Sequence, residues 1–335
     1  MPTDEEGKIE ARSSQGDGSS SKGSDFESAD TFSVDSSITQ YRIENGRRYH
    51  AYKDGQYWSV PPPPSPARYA RISFHSRAPN DERQNENLDI ALTLAPIDPN
   101  IERVLDIGTG TGIWANFADE HPHTEVIGTD LSPIQPDLVP PNCRFEIDDA
   151  SDEWTYPANY FNFIHIRGLF GSIQDWPALY AQALRHLKPG GYIEHIEGAA
   201  DVRCDDGTLP DDSPLRTFCR LFAEASEITG QDFRISDVMA QKIAESGFVN
   251  VVERVYKVPL GGWAADRKLR ELGRWALLAF ETGLEGYSLA TLTRVLGWSV
   301  PEVQVFMAQL RSAVRDRRTH PYHFIKVVYA QKPLQ

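Results

Sequence analysis

Beyond residue 100, short apolar runs of strand length alternate with longer stretches that repeat at helical spacing. Val104-Leu105-Asp106-Ile107 is the first run, and Ile113-Trp114-Ala115 opens a helical pattern after it. Glu125–Asp130, Cys143–Ile147 and Phe161–Ile166 follow as further strands. Asp175 is placed to cap a helix with Pro177 in its first turn, and Leu179/Tyr180, Ala183/Leu184 and Leu187 form its apolar stripe. Lys188-Pro189-Gly190-Gly191 stops that helix and leads into a fifth strand, Tyr192–Ile196. Helices are then predicted near Pro214–Ile228 and Asp237–Ser246, the second ended by Gly247. Phe248–Val258 and Phe324–Ala330 complete a set of seven strands. Helical crossovers between short strands define an α/β fold, a Rossmann-like, doubly wound and mostly parallel sheet. Between the last two strands lie some sixty residues (262–320) that read as three helices: Asp266–Leu284, Leu289–Leu296 and Val300–Arg318. Ser299 and Glu302 have the spacing of a capping box for the third. An insert of this length is expected to fold as a lid over the carboxyl ends of the strands.

The amino-terminal quarter has another character. Residues 1–40 are rich in Ser, Gly and acidic side chains, carry nine acids against three bases (Lys8, Arg12, Lys22), and contribute −6 of the net charge of −14. With so little to bury, this stretch reads as a disordered, solvating acidic tail; a regulatory tail with phosphorylatable serines is the alternative. Residues 41–95 read as a cap segment. Tyr49, Tyr52, Tyr57 and Trp58 cluster within it, and Val60–Pro79 carries four consecutive prolines. That proline run suits a polyproline II ligand, although a plain surface insertion is preferred. Asn80 or Asp81 then starts a helix with Leu88, Leu92 and Ala95 on one face.

Composition narrows the function classes. Hydrophobic residues make up 40% of the 335 and charged ones 24%, as in soluble globular proteins. No apolar run is long enough to span a bilayer, and MPTDEEGKIE lacks the basic and apolar regions of a signal peptide. Three cysteines (Cys143, Cys204, Cys219) without metal spacing point to reduced thiols and a cytoplasmic location, with the nucleus as the alternative. The acidic balance argues against direct nucleic-acid binding. The basic run Arg311–Arg318 is interrupted by Asp316 and reads as a solvated helix end.

Candidate chemistry centres on Arg103–Ala115, RVLDIGTGTGIWA. Strand, glycine turn and helix form a nucleotide-cradling geometry, in which glycines let the backbone approach a ligand. A dinucleotide loop places its third glycine three positions after the second. Here Gly112 follows Gly110 by two, and Asp106 precedes Gly108 by two. That pattern suits a ligand with an ammonium to neutralise and no phosphate to hold, as in S-adenosyl-L-methionine (SAM). Eighteen positions past Gly112, Asp130 ends the second strand, where a carboxylate accepts from both ribose hydroxyls, with Leu131 beside it. Asp149, with Ala150, ends the third strand, beside the adenine in such a fold.

With these pieces placed, the chain resembles the class I SAM-dependent methyltransferases and, within them, the fungal LaeA-like family. YHAYKDGQYW, PNDE, VLDIGTGTGIWA, EVIGTDLSPIQP, FEIDDA, FIHIRGLFGSIQDWP and LKPGGYIE carry the resemblance, which runs from about Tyr49 to the C-terminus. It implies a seven-stranded sheet with the last strand antiparallel, SAM as cofactor, and a methyltransferase domain over 96–335. Members are similar to tailoring enzymes of secondary metabolism, acting on small molecules, or to nuclear regulators working through protein partners. Three departures stand out. Val60–Arg77 is extra, either an insertion or a translated intron. One residue is missing around Trp114–Ala118, so local repacking is expected, with Ile113, Phe117 and Ala118 sharing a face. Asn162 replaces the usual Asp before the fourth strand, a structural position.

Candidate catalytic groups lie at the ends of the fourth and fifth strands. Arg167 is placed for its backbone to meet the methionine part of SAM and its side chain the substrate; His195 and Glu197 are candidates for a general base. His165 sits within an apolar strand, where a satisfied core histidine is the preferred reading. Trp263, Trp275, Phe280, Trp298 and Phe306 of the insert either wall a substrate pocket or build the insert's core. A nicotinamide oxidoreductase is disfavoured by the glycine spacing.

Overall fold

The computed structural model describes residues 93–335 in full and, as backbone only, strands β1 (Tyr41–Glu44) and β2 (Arg47–His50), which pair antiparallel. The readings of residues 1–40 and of the aromatic, proline-rich and helical stretches within 51–92 lie outside the described residues.

Strands β3 (Arg103–Ile107), β4 (Glu125–Asp130), β5 (Cys143–Ile147), β6 (Phe161–Arg167), β7 (Leu187–Gly198), β8 (Val249–Pro259) and β9 (Tyr322–Gln331) form one sheet in the order β5-β4-β3-β6-β7-β9-β8. Every pairing is parallel except those of β9, which runs antiparallel to both β7 and β8. The strand order reverses between β3 and β6. In an open α/β sheet that crevice, beyond the carboxyl ends, is where ligands bind.

Side chains alternate between the two faces, as the pleat requires. On one face Val104, Val126 and Phe163 pack beneath α1 (Trp114–Glu120). On the other, Leu105, Ile107, Ile164 and Ile166 pack with residues of α2 (Trp176–His186) and α4 (Met239–Glu245). Asp175 caps α2 by accepting from Ala178 N at 2.9 Å. In α1, Trp114, Phe117 and Ala118 are buried, and the half-buried N-cap Ile113 packs against the same cluster. Asn162 Oδ1 accepts from the backbone N–H groups of Glu102 and Arg103, at 3.2 and 3.1 Å, tying β6 to the start of β3.

Three element boundaries differ from expectation. β7 begins at Leu187, and its register against β6 shifts between Phe161 and Phe163, which accommodates the Lys188–Gly191 stretch within the strand. In the insert, α5 runs without a break from Arg267 to Ala290 and ends in one π-helical turn, Thr291–Val295. Gly283 and Gly286 are tolerated within it because α5 is held by packing: Leu284, Gly286, Ser288 and Leu289 are buried. Finally, α6 (Val300–Arg315) stops three residues early. Asp316 leaves the helical conformation, and its carboxylate accepts from the backbone N–H of Arg318 and pairs with that guanidinium. The capping box of Ser299 and Glu302 is present.

The insert leaves the sheet at the end of β8 and returns at the start of the antiparallel β9, so it emerges on the carboxyl side, as the glycine turn does. With α3 (Pro214–Thr229) it builds a second apolar core around Leu215, Leu284, Leu292, Phe306 and Leu310. Phe280 and Trp298 pack against that core, while Trp263 joins Ala264 and Tyr322 in a smaller cluster.

Candidate cofactor site

The glycine turn lies where β3 ends. Gly108, Gly110 and Gly112 have φ of 70°, 57° and 79°, a region that side-chain-bearing residues rarely occupy. The turn is pinned by its neighbour strand, because the N–H groups of Gly108 and Thr109 both donate to Thr129 O at 2.9 Å. Two of the glycines also make room. A methyl group on Gly108 would collide with Leu169, and one on Gly112 would meet the Phe145 ring at 2.5 Å. Gly110 is different, since among the described residues nothing lies within 4 Å of where its Cβ would be. The bend is therefore packed at both ends and open in the middle.

Asp130 closes the far side. Its Oδ2 accepts from Gly110 N at 2.8 Å and its Oδ1 from Ser132 N at 2.9 Å, which fixes the carboxylate while leaving each oxygen a further lone pair. Burial raises its pKa to about 6, opposed by those backbone N–H donors and reinforced by the charge of Asp106. Leu131, half-buried, links the two bonded residues. Gln135 Nε2 donates to Gly110 O at 2.7 Å and to Ser132 O at 3.0 Å, bracing the same bend. Asp149 is buried at the end of β5 with Oδ1 accepting from Ser151 N, and the Ala150 carbonyl accepts from Trp154 Nε1.

Asp106 is 3% exposed, and its Oδ1 accepts from His165 Nδ1 at 2.8 Å. Arg167, half-buried at the end of β6, has its pKa lowered by desolvation and supported by the charges of Asp106, Glu197 and Glu194. His195 and Glu197, the candidate general bases, have side chains sealed from solvent. His195 stacks on Trp176, pairs with Tyr180 Oη at 2.8 Å through Nδ1, and meets Glu197 Oε1 at 2.9 Å through Nε2. The same Glu197 oxygen accepts from Leu169 N at 2.7 Å. This buried network therefore holds the turn whose Leu169 packs against Gly108.

Asp106, Gly108, Gly110, Gly112 and Asp130 converge through these contacts, and Asp149 follows at the neighbouring strand end. The bracing residues Gln135, Phe145 and Leu169 escaped sequence reasoning. Only the bulk of Phe145 and Leu169 beside strand ends hinted at them. An open glycine bend, a backbone-fixed carboxylate at the next strand end, and no third glycine at dinucleotide spacing fit a nucleoside with an amino-acid tail.

The fold and this site define a class I methyltransferase, and residues 80–297 match the family model described as a methyltransferase domain. The chain belongs to that family, whose methyl donor is SAM. It is 36% identical to methyltransferase pytC of Aspergillus terreus over 90% of this chain and 91% of that one. It is 35% identical to the secondary metabolism regulator LAE1 of Cochliobolus heterostrophus, over 88% and 95%. To the protein-methionine methyltransferase laeA of Emericella nidulans it is 31% identical, over 91% and 80%. Among the described residues no helix is long and apolar enough to cross a membrane.

Proposed function

We propose that the chain methylates a small-molecule acceptor in secondary metabolism, with the donor seated on the glycine bend. The observation that carries this reading is Asp130: a buried carboxylate, held by two backbone N–H groups at the edge of an open glycine bend, suits a ribose diol. Asp106 faces the ammonium of the methionine tail, Gly108, Gly110 and Gly112 give the backbone its close approach, and Leu131 borders the ribose. Asp149 and Ala150 take the adenine edge. Arg167 presents its backbone to the tail and its guanidinium to the substrate.

SAM supplies a sulfonium-bound methyl carbon, and transfer is an in-line displacement by a nucleophile about 3 Å away. Positioning and water exclusion provide most of the acceleration, so the chain's task is geometric. His195 and Glu197 contribute by holding the Arg167–Leu169 turn through the Leu169 N–H. The insert 262–320, with its own apolar core, serves as the lid over the carboxyl side. Purified protein, isotope-labelled SAM and a metabolite extract from the host should yield a low-molecular-mass product that has gained a methyl group in mass spectrometry. Label recovered only in protein would instead favour a second reading, regulation through protein methylation. The names of the LAE1 and laeA relatives support that alternative.

A further inference from the structure

Asp106, His165 and Glu194 stand side by side on β3, β6 and β7, in register across the sheet and on one face of it. They are 3%, 1% and 0% exposed. His165 Nδ1 lies 2.8 Å from Asp106 Oδ1, and because a carboxylate can only accept, Nδ1 carries the proton. Trp114 covers the imidazole, with ring centroids 4.6 Å apart. On the other side, Glu194 Oε2 accepts from the backbone N–H groups of Leu94 and Ala95, each at 2.6 Å.

As a stability device this row is poor. Among the described residues His165 Nε2 is buried without a hydrogen-bond partner, and three ionisable side chains in a core are commonly replaceable by apolar ones at no loss. What the row does secure is the geometry of one carboxylate. A carboxylate buried as deeply as Asp106 needs a donor to carry its charge, and His165 Nδ1–H is the donor in contact. With Oδ1 engaged, Oδ2 has no hydrogen-bond partner among the described residues. That is the state in which an ammonium can be received.

We propose that His165 is a positioning residue for cofactor binding, locking Asp106 as a correctly turned carboxylate for the α-ammonium of the donor's amino-acid tail. Glu194 buttresses the row and ties it to the segment entering at Leu94. The inference rests on the reading of Asp106 given above. It predicts a loss confined to ligands that possess an ammonium.

The test compares two probes on the full chain. S-adenosylhomocysteine carries the amino-acid tail, and 5′-methylthioadenosine keeps adenine and ribose without it. His165→Leu preserves volume and removes the donor, and should weaken S-adenosylhomocysteine about tenfold while leaving methylthioadenosine within about twofold. His165→Asn places an amide N–H near the Nδ1 position and should restore affinity to within about threefold of the parent. If His165→Leu does not fold, His165→Gln takes its place, because its amide reaches toward the Nε2 position and should fail to rescue. Asp106→Asn is the reference. If it shifts the ratio of the two affinities while His165→Leu or His165→Gln does not, or if Asn rescues no better than Leu or Gln, the positioning role is overturned. If Asp106→Asn itself leaves the ratio unchanged, the reading of Asp106 fails and the inference falls with it.

Discussion

Asp130 is held between opposing influences, since burial favours its neutral form while the N–H groups of Gly110 and Ser132 favour its charge. The sign of the pH dependence follows. With its pKa raised to about 6 by burial, lowering the pH below that value neutralises the group proposed to accept the ribose hydroxyls. SAM affinity measured by calorimetry should therefore rise with pH through about 6 and level off above it, changing by at most about tenfold per pH unit. Asp130→Asn should flatten that profile. Without ligand the stability sign is opposite: a raised carboxyl pKa favours the fold at low pH, and this contribution is lost as pH rises from the ordinary value of 3.8 through about 6. Asp130→Ala removes hydrogen bonds worth about 1 to 2 kcal/mol each and should weaken SAM about tenfold or more at neutral pH. Of the residues in this site, those named by local spacing were legible: Asp106, the three glycines, Asp130 and Asp149 each sit at a fixed offset from a strand end. His165 was legible only as a polar residue inside FIHI. Its partner Asp106 lies 59 positions away, and the sheet register that joins them is not written in either segment.

At the scale of elements, the strands declared themselves because short β-branched and aromatic runs bounded by turn residues have few other uses. Helix ends were legible where a side chain makes the cap, as Asp175 and Ser299 do. They were misread where tertiary contacts decide. A break in α5 was expected near Gly286, yet packing carries the helix through to Ala290. Glycine has a separate use at Gly273, whose carbonyl accepts from Gly261 N at 2.9 Å and whose added Cβ would collide with the Gly261 carbonyl oxygen. Gly273→Ala should therefore cost about 1 to 3 kcal/mol, read as a lowered midpoint in denaturant, despite the better helix propensity of alanine. Ser299→Ala dismantles the capping box of α6 and should cost about 1 kcal/mol, with SAM affinity unchanged if the insert is a lid that does not touch the donor.

Among the described residues the two larger apolar cores are one wrapped around the sheet and one shared by α3 and the insert. In the proposed function the sheet core carries the donor site, and the second core lies on the same carboxyl side, the side proposed for entry of the acceptor. The fold class and the antiparallel last strand followed from strand count and family resemblance, because βαβ crossovers leave few topologies open, whereas the strand order is visible only in the folded sheet. The acceptor was not legible. Its recognition depends on how residues scattered over more than a hundred positions meet across that second core, and no local spacing encodes this. The relatives' names divide in the same way, pytC and the Emericella nidulans laeA being named methyltransferases and LAE1 a regulator.

The proposed methyl transfer depends on the glycine bend receiving SAM, and titration calorimetry of the full chain measures that most directly. The account predicts saturable binding of one SAM per chain, weakened about tenfold or more by Asp130→Ala in a protein that remains folded by circular dichroism. A folded parent protein that shows no SAM binding, or that binds a nicotinamide dinucleotide at the same bend in its place, would contradict it.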